Sequence, residues 1–170
     1  MIGRAMSAKR LSLLGLIFLV FITLSLPHKA NPKGDNPLDL ILRDTGGNEV
    51  SLSELADSKP LLLYFWATWC KPCRKTQPKV TALDKKYKER IKVVGINVGG
   101  LDSAAEIKKY SAKNKITYTM LLDHQDNAVQ TFSIYAIPTI ILLDTSGKIL
   151  FRSNQAPKDL EQFLSNPSDS

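Results

Sequence analysis

Cys70 and Cys73 are the two cysteines of the 170-residue chain, and they stand at C-x-x-C spacing in Trp69-Cys70-Lys71-Pro72-Cys73. Sulfurs so placed can exchange with other disulfides, pair permanently, or supply half of a zinc site. The pair follows an apolar run, Leu61–Trp66, and opens a helical pattern, so it falls at a helix start just beyond a buried strand. There the first sulfur sits among backbone N–H groups that lack helical partners, where the helix dipole favours negative charge. This placement predicts a lowered pKa for Cys70, and the thiolate is the nucleophile of disulfide exchange. Cys73, one turn on, is then positioned to attack the mixed disulfide and release the product. Pro72 has a fixed φ suited to the first helical turn. Lys71 and Arg74 add positive charge that further stabilises the thiolate.

The other two readings are weaker. A zinc site needs two more ligands, and only His28 and His124 remain as soft ones. A purely structural disulfide closing so small a loop constrains the unfolded chain little. The length is that of one domain and leaves no room for a second catalytic one. With 44% hydrophobic and 23% charged residues, collagen-like and wholly disordered chains are excluded.

The elements that must hold the cysteines follow from pattern. Leu61–Trp66 is apolar throughout, as a strand buried on both faces requires. The next helix is expected from Cys70 to about Arg90, with Val80, Leu83 and Tyr87 on one face. Pro78 inside it cannot donate to the carbonyl of Arg74, so a kink is expected there. Upstream, Leu38–Arg43 and Asn48–Leu52 flank Asp44-Thr-Gly-Gly47 as a hairpin, and Ser51-Leu-Ser-Glu54 has capping-box spacing. Downstream, Val93–Val98 is a second central strand ended by Gly99-Gly100, and Ser103-Ala-Ala-Glu106 opens a helix to about Asn114. Thr117–Leu122 reads as extended and Asn127–Ile134 as helical. Thr139–Asp144 and Lys148–Arg152 form strands around Ser146-Gly147, and Asp159–Leu164 is a closing helix. This order gives a mixed α/β sheet with helices on its faces.

The N-terminus has a separate character. Arg4, Lys9 and Arg10 precede the uncharged run Leu11–Leu26, the pattern of an export signal or membrane anchor. As a helix the run reaches about 24 Å, short of the ~30 Å hydrocarbon core, and snorkelling by Lys9 and Arg10 closes the gap. Sites for signal cleavage are poor, so residues 1–26 are read as an uncleaved anchor, with a cleaved signal as the alternative. Residues 27–37 form a proline-containing linker, 38–164 the folded domain and 165–170 a polar tail. The domain then works outside the cytoplasm.

Phe65-Trp-Ala-Thr-Trp-Cys-Lys-Pro-Cys73 resembles the active-site segment of thioredoxin-like proteins, and within them the membrane-anchored TlpA/ResA group of extracytoplasmic disulfide reductases. The resemblance runs from about Leu38 to Leu164 and includes the N-terminal hairpin, the extra helix near 103–114 and Ile137-Pro138-Thr139 before a strand. It implies a thioredoxin-like mixed central sheet with an N-terminal hairpin extension and an extra βα insert. It also implies a cis proline at Pro138 facing the cysteines, with the backbone at Ile137 left free to pair with substrate and Trp69 available for contact. The implied activity is reduction of protein disulfides through a redox-active Cys70–Cys73 pair, with no other cofactor and no metal. Implied partners are disulfide-containing clients such as apocytochrome c, and a membrane thiol-electron donor of the DsbD/CcdA type; nucleic acid is not among them.

Two departures from the family stand near the cysteines. Thioredoxins carry a buried Asp six residues before the first cysteine, where this chain has Tyr64. The TlpA/ResA group usually supplies a Glu three residues after the second cysteine, where this chain has Thr76. Both absences bear on the speed and direction of proton-coupled exchange rather than on its chemistry. The turn after the last strand also lacks the usual Gly, reading Ser153-Asn-Gln-Ala156.

Rival functions need features the chain lacks. A thiol peroxidase requires Pro-x-x-x-Thr-x-x-Cys, and a copper metallochaperone on this fold requires cysteines separated by three residues plus a distant His. A non-catalytic adaptor has no use for the intact pair. Charge is uneven: of a formal net +7, residues 71–90 contribute eight basic side chains against Asp84 and Glu89. That run reads first as a solvated helix face, with an acidic partner or an anionic membrane as functional alternatives.

Overall fold

The computed structural model describes residues 36–165, so the expected anchor over 1–26, nearly all of the linker and the tail beyond Ser165 lie outside it. Among the described residues no helix is long and apolar enough to cross a membrane. The strands are β1 (Ile41–Asp44), β2 (Glu49–Ser51), β3 (Leu61–Trp66), β4 (Lys92–Val98), β5 (Thr119–Asp123), β6 (Thr139–Leu143) and β7 (Ile149–Ser153). The helices are α1 (Leu52–Ala56), α2 (Lys71–Tyr87), α3 (Ala104–Lys113), α4 (Asn127–Thr131) and α5 (Glu161–Leu164). One seven-stranded sheet has the order β2-β1-β5-β4-β3-β6-β7. Its centre is parallel (β3 with β4, β4 with β5), and its flanks are antiparallel.

β3 is buried at every residue, as its unbroken apolar run requires. Its side chains alternate between two cores. Leu62, Tyr64 and Trp66 pack with Val80, Leu83 and Tyr87 of α2 and with Ile107 of α3. Leu61, Leu63 and Phe65 pack on the opposite face with Leu52, Ala128 and Phe132. The expected apolar face of α2 is thus the one that covers the sheet.

Local chemistry sets the ends. Both expected capping boxes are present: Ser51 with Glu54 opens α1, and Ser103 with Glu106 opens α3. Several limits differ from the sequence reading. Residues 37–39 form a 3₁₀ turn rather than strand, because Asn36 caps the Leu38 N–H and Pro37 sits at its first position. α2 begins after Cys70 and ends at Tyr87, whose carbonyl accepts from both Arg90 and Ile91 in a closing turn. Pro78 lies within it, and α2 continues as a single helix on either side. α4 stops at Thr131, not Ile134, since Ser133 takes a left-handed φ of 49°. α5 starts at Glu161, two residues later than expected.

α5 is tied to α2 by one buried contact, the Leu160 N–H donating to the Tyr87 hydroxyl at 3.1 Å. Tyr87→Phe keeps the ring and strands that N–H. It is expected to cost roughly 1–3 kcal/mol, read as a lower urea midpoint at unchanged slope. An unchanged midpoint would mean the contact contributes nothing to holding α5.

Candidate active site

Cys70 and Cys73 lie at the carboxyl end of β3, where the chain turns into α2. They are joined by a disulfide, with S–S 2.01 Å and Cα–Cα 5.2 Å. Cys70 is the N-cap of α2, and its Sγ accepts the backbone N–H of Cys73 at 3.1 Å. A sulfur thus takes the place usually held by a Ser or Asp oxygen. Cys73 is fully buried and Cys70 is 4% exposed, so Cys70 is the residue of the pair with residual access to solvent.

Across from the pair, the Ile137–Pro138 peptide is cis, and the Ile137 carbonyl oxygen lies 3.8 Å from Cys70 Sγ. The geometry therefore brings Ile137 and Pro138 to the cysteines over a separation of 67 residues. Trp69 is 52% exposed beside Cys70. Its indole lies along Gly99, where an added Cβ would come within 3.5 Å of Trp69 Cζ2. Gly99 itself holds a φ of +86°, so the backbone conformation favours glycine there, while a Cβ would make only ordinary contact with the indole.

The charged and polar neighbours take distinct positions. Lys71 is exposed on the first turn of α2. Arg74 folds back, its Nη1 donating to the Thr68 carbonyl at 3.0 Å. Thr76 is half-buried on α2, three residues past Cys73. Tyr64 is fully buried and its hydroxyl donates to the Cys73 carbonyl at 2.8 Å. Burial pushes its phenol far above the usual tyrosine range, with Tyr118 and Tyr110 adding to the rise. Tyr64 therefore stays protonated and pins the first turn of α2 to β3; it has no capacity as a base near neutral pH.

One residue of the site escaped the sequence reading. Asp102, 5% exposed, accepts from the Thr68 N–H at 2.7 Å, from Asn97 Nδ2 at 2.7 Å, and from the Thr68 hydroxyl. All three hydrogen bonds are donated to the carboxyl oxygens. With Arg74 on its carbonyl, Thr68 is held on every polar group it has. The Cys70 N–H closes the same turn onto the Ala67 carbonyl at 3.2 Å. The only hint in the sequence was an Asp just before the Ser103 capping box, which reads as ordinary helix-start chemistry. Among the described residues no group of three or more His, Cys, Asp or Glu is placed to hold a metal; His28 lies outside them.

A half-exposed tryptophan, a capping cysteine bonded to a buried one, and a cis proline facing them on a mixed sheet define a thioredoxin-like thiol–disulfide oxidoreductase. Residues 34–152 match the AhpC/TSA family, and the chain belongs to it. It is 35% identical over 148 residues to a thioredoxin-like protein of Haemophilus influenzae, covering 85% of this chain and 86% of that one. It is 28% identical over 134 residues to the thiol-disulfide oxidoreductase ResA of Geobacillus kaustophilus, covering 77% of this chain and 75% of that protein. The fold is similar to a solved thiol-disulfide oxidoreductase from Bacteroides fragilis, with a TM-score of 0.66 at 25% identity over 75% of this chain and 96% of that one.

Asp102→Ala leaves the Thr68 N–H and hydroxyl and the Asn97 amide without their acceptor. The expected loss is about 2–5 kcal/mol in chemical denaturation, together with slower thiol–disulfide exchange in the protein that remains folded. Wild-type stability in this variant would remove the carboxylate from the account of the site.

Proposed function

We propose that the protein reduces protein disulfides outside the cytoplasm, with Cys70 as the attacking thiol and Cys73 as the resolving one. The observation that carries the reading is the N-cap position of Cys70, whose sulfur already accepts the Cys73 N–H and which is the less buried residue of the pair. In the reduced protein the same N–H and the helix dipole favour a thiolate at that atom. Lys71 and Arg74 add positive charge nearby. The Cys70 thiolate attacks one sulfur of a client disulfide, forming a mixed disulfide and expelling the other client sulfur as a thiolate. Cys73, once deprotonated, attacks Cys70 Sγ, breaks the mixed disulfide and releases the second client thiolate. Two electrons pass to the client, and the protein is left with the Cys70–Cys73 disulfide described above.

Trp69, Ile137 and Pro138 surround the attacked position and are the proposed client contacts. Apocytochrome c is the client class that the family resemblance suggests. Renewed turnover in an oxidising compartment needs electrons from across the membrane, for which a thiol transporter of the DsbD/CcdA type is the proposed donor. Residues 1–26 are proposed to anchor the domain on the outer side of the cytoplasmic membrane. Copper delivery and a non-catalytic adaptor role are the alternatives; the first calls for cysteines separated by three residues, where this chain has two, and the second has no use for an exchange-ready pair.

In cells, Cys73→Ser is expected to accumulate mixed disulfides with clients, and Cys70→Ser to accumulate none. The trapped species should sit in the membrane fraction with the N-terminus intact. Equal trapping by both variants, or trapping by Cys70→Ser alone, would reverse the assignment; soluble protein starting beyond residue 23 would mean a cleaved signal.

Thr76→Glu places a carboxylate three residues past Cys73, on the same side of α2. It should accept the Cys73 proton as a hydroxyl cannot and speed resolution near pH 7, where a thiol of pKa ~8.5 is mostly protonated. Stopped-flow exchange with a model disulfide across pH reads the resolving step directly. An unchanged rate would show that proton removal does not limit it.

A further inference from the structure

The basic side chains of α2 fall into two groups with different surroundings. At the carboxyl end and just past it most are engaged locally: Lys86 lies 4.8 Å over the Tyr87 ring, Lys88 pairs with Glu89 at 3.7 Å, and Arg90 pairs with Glu161 at 2.8 Å, while Lys85 is exposed beside them. Toward the amino end, Lys71, Lys75 and Lys79 are exposed, and among the described residues none of them forms an ion pair. They recur at every fourth residue, so they share one face about 12 Å long, directed away from the buried Cys73 and Val80. The acid on α2, Asp84, lies beyond this stretch and accepts from the Thr117 hydroxyl. The row starts at the residue next to Cys70, beside the exposed Trp69.

Like charges on one helix face destabilise it by a few tenths of a kcal/mol per pair. Here they stand uncompensated at the end of α2 where an exchanging partner must arrive. We propose that Lys71, Lys75 and Lys79 are a docking face for an acidic segment of the protein whose disulfide reacts at Cys70. This rests on the reductase reading above and adds the kind of client or donor that the site selects. Charge complementarity of this sort acts chiefly on encounter rate and on choice among partners. A polypeptide is favoured over a lipid surface because the row runs directly up to the sulfur, and a bilayer lying on it would crowd the position the partner's disulfide must take.

The test uses the pre-reduced full chain in neutral detergent micelles and three disulfide peptides differing only in flanks of three Glu, three Gln or three Lys. Each rate is divided by that of the same peptide with dithiothreitol, which removes differences in intrinsic disulfide reactivity. At low ionic strength the Glu peptide should react about 10-fold faster than the Lys peptide, with Gln between them. The spread should fall below about 2-fold at 1 M salt, where the Debye length is ~3 Å. Lys75→Glu with Lys79→Glu should invert the order while leaving the Gln peptide within about 2-fold of wild type. Lys59→Glu with Lys92→Glu, at the opposite end of β3 and β4, should preserve the wild-type order. Equal rates for the three peptides would overturn the docking face while leaving the reductase reading in place. No reaction with any peptide would remove both. If peptide charge has no effect, yet phosphatidylglycerol in the micelles slows the Gln peptide only when Lys75 and Lys79 are present, the face is a lipid contact and the proposal fails.

Discussion

The geometry of the site depends on the register of one strand. β3 is buried on both faces at the centre of the sheet, so each of its backbone polar groups must find a partner in a neighbouring strand. β4 supplies them on one side and β6 on the other. The pairing of Phe65 with Thr139 fixes where β6 begins, and Ile137 and Pro138 immediately precede that point. With the cis peptide at Pro138, this register leaves the Ile137 carbonyl oxygen 3.8 Å from Cys70 Sγ. On the other side, Trp66 pairs with Asn97, which brings the end of β4 level with the turn that leads into the cysteines. Asn97 then donates to Asp102, which in turn accepts from Thr68. A slip of one residue in either ladder would turn the alternating side chains of β3 to the wrong cores, so the packing that holds the fold also holds the chemistry.

The polar interactions behind the cysteines serve position rather than proton transfer. Burying a carboxylate costs several kcal/mol unless its lone pairs are met, and Asp102 meets three donors. Its partners lie in the turn before Cys70 and at the end of β4, so it joins two segments that the sheet only brings near one another. Tyr64 does a similar thing from beneath α2, through the Cys73 carbonyl. Both sides of the C-x-x-C segment are thereby held by buried hydrogen bonds, while Trp69 and the exposed lysines face outward.

Much of this was legible in the residues. β3 announced itself by composition, the start of α2 by Cys70 and Pro72, and α1 and α3 by Ser and Glu at capping-box spacing. These are local signals and depend on few neighbours. Element ends were less legible: α4 stops because a serine, not a glycine, adopts the left-handed conformation at 133. The Asp102 contact was not legible at all, because it spans 34 residues and exists only through the β3–β4 register. Tyr64 was visible as a substitution at a family position, but its bond to Cys73 depends on how closely α2 lies on β3.

That substitution bears on how the buried Cys73 can lose its proton. A carboxylate near it would accept the proton, yet its own negative charge would oppose the thiolate that must follow. In this chain the α2 side chains flanking the pair are cationic at Lys71 and Arg74 and neutral at Thr76 and Gln77. Tyr64 is committed to the Cys73 carbonyl and kept protonated by burial. None of these takes a proton readily, but the cations lower the energy of an anion at either sulfur whichever solvent species removes the proton. In the exchange proposed above each step leaves a thiolate near the first turn of α2, and Lys71 and Arg74 are the cations that flank it. Of the lysine row only Lys71 adjoins the cysteines, while Lys75 and Lys79 lie farther along the exposed face, so an incoming acidic partner is met by charges separate from those beside the reacting sulfur.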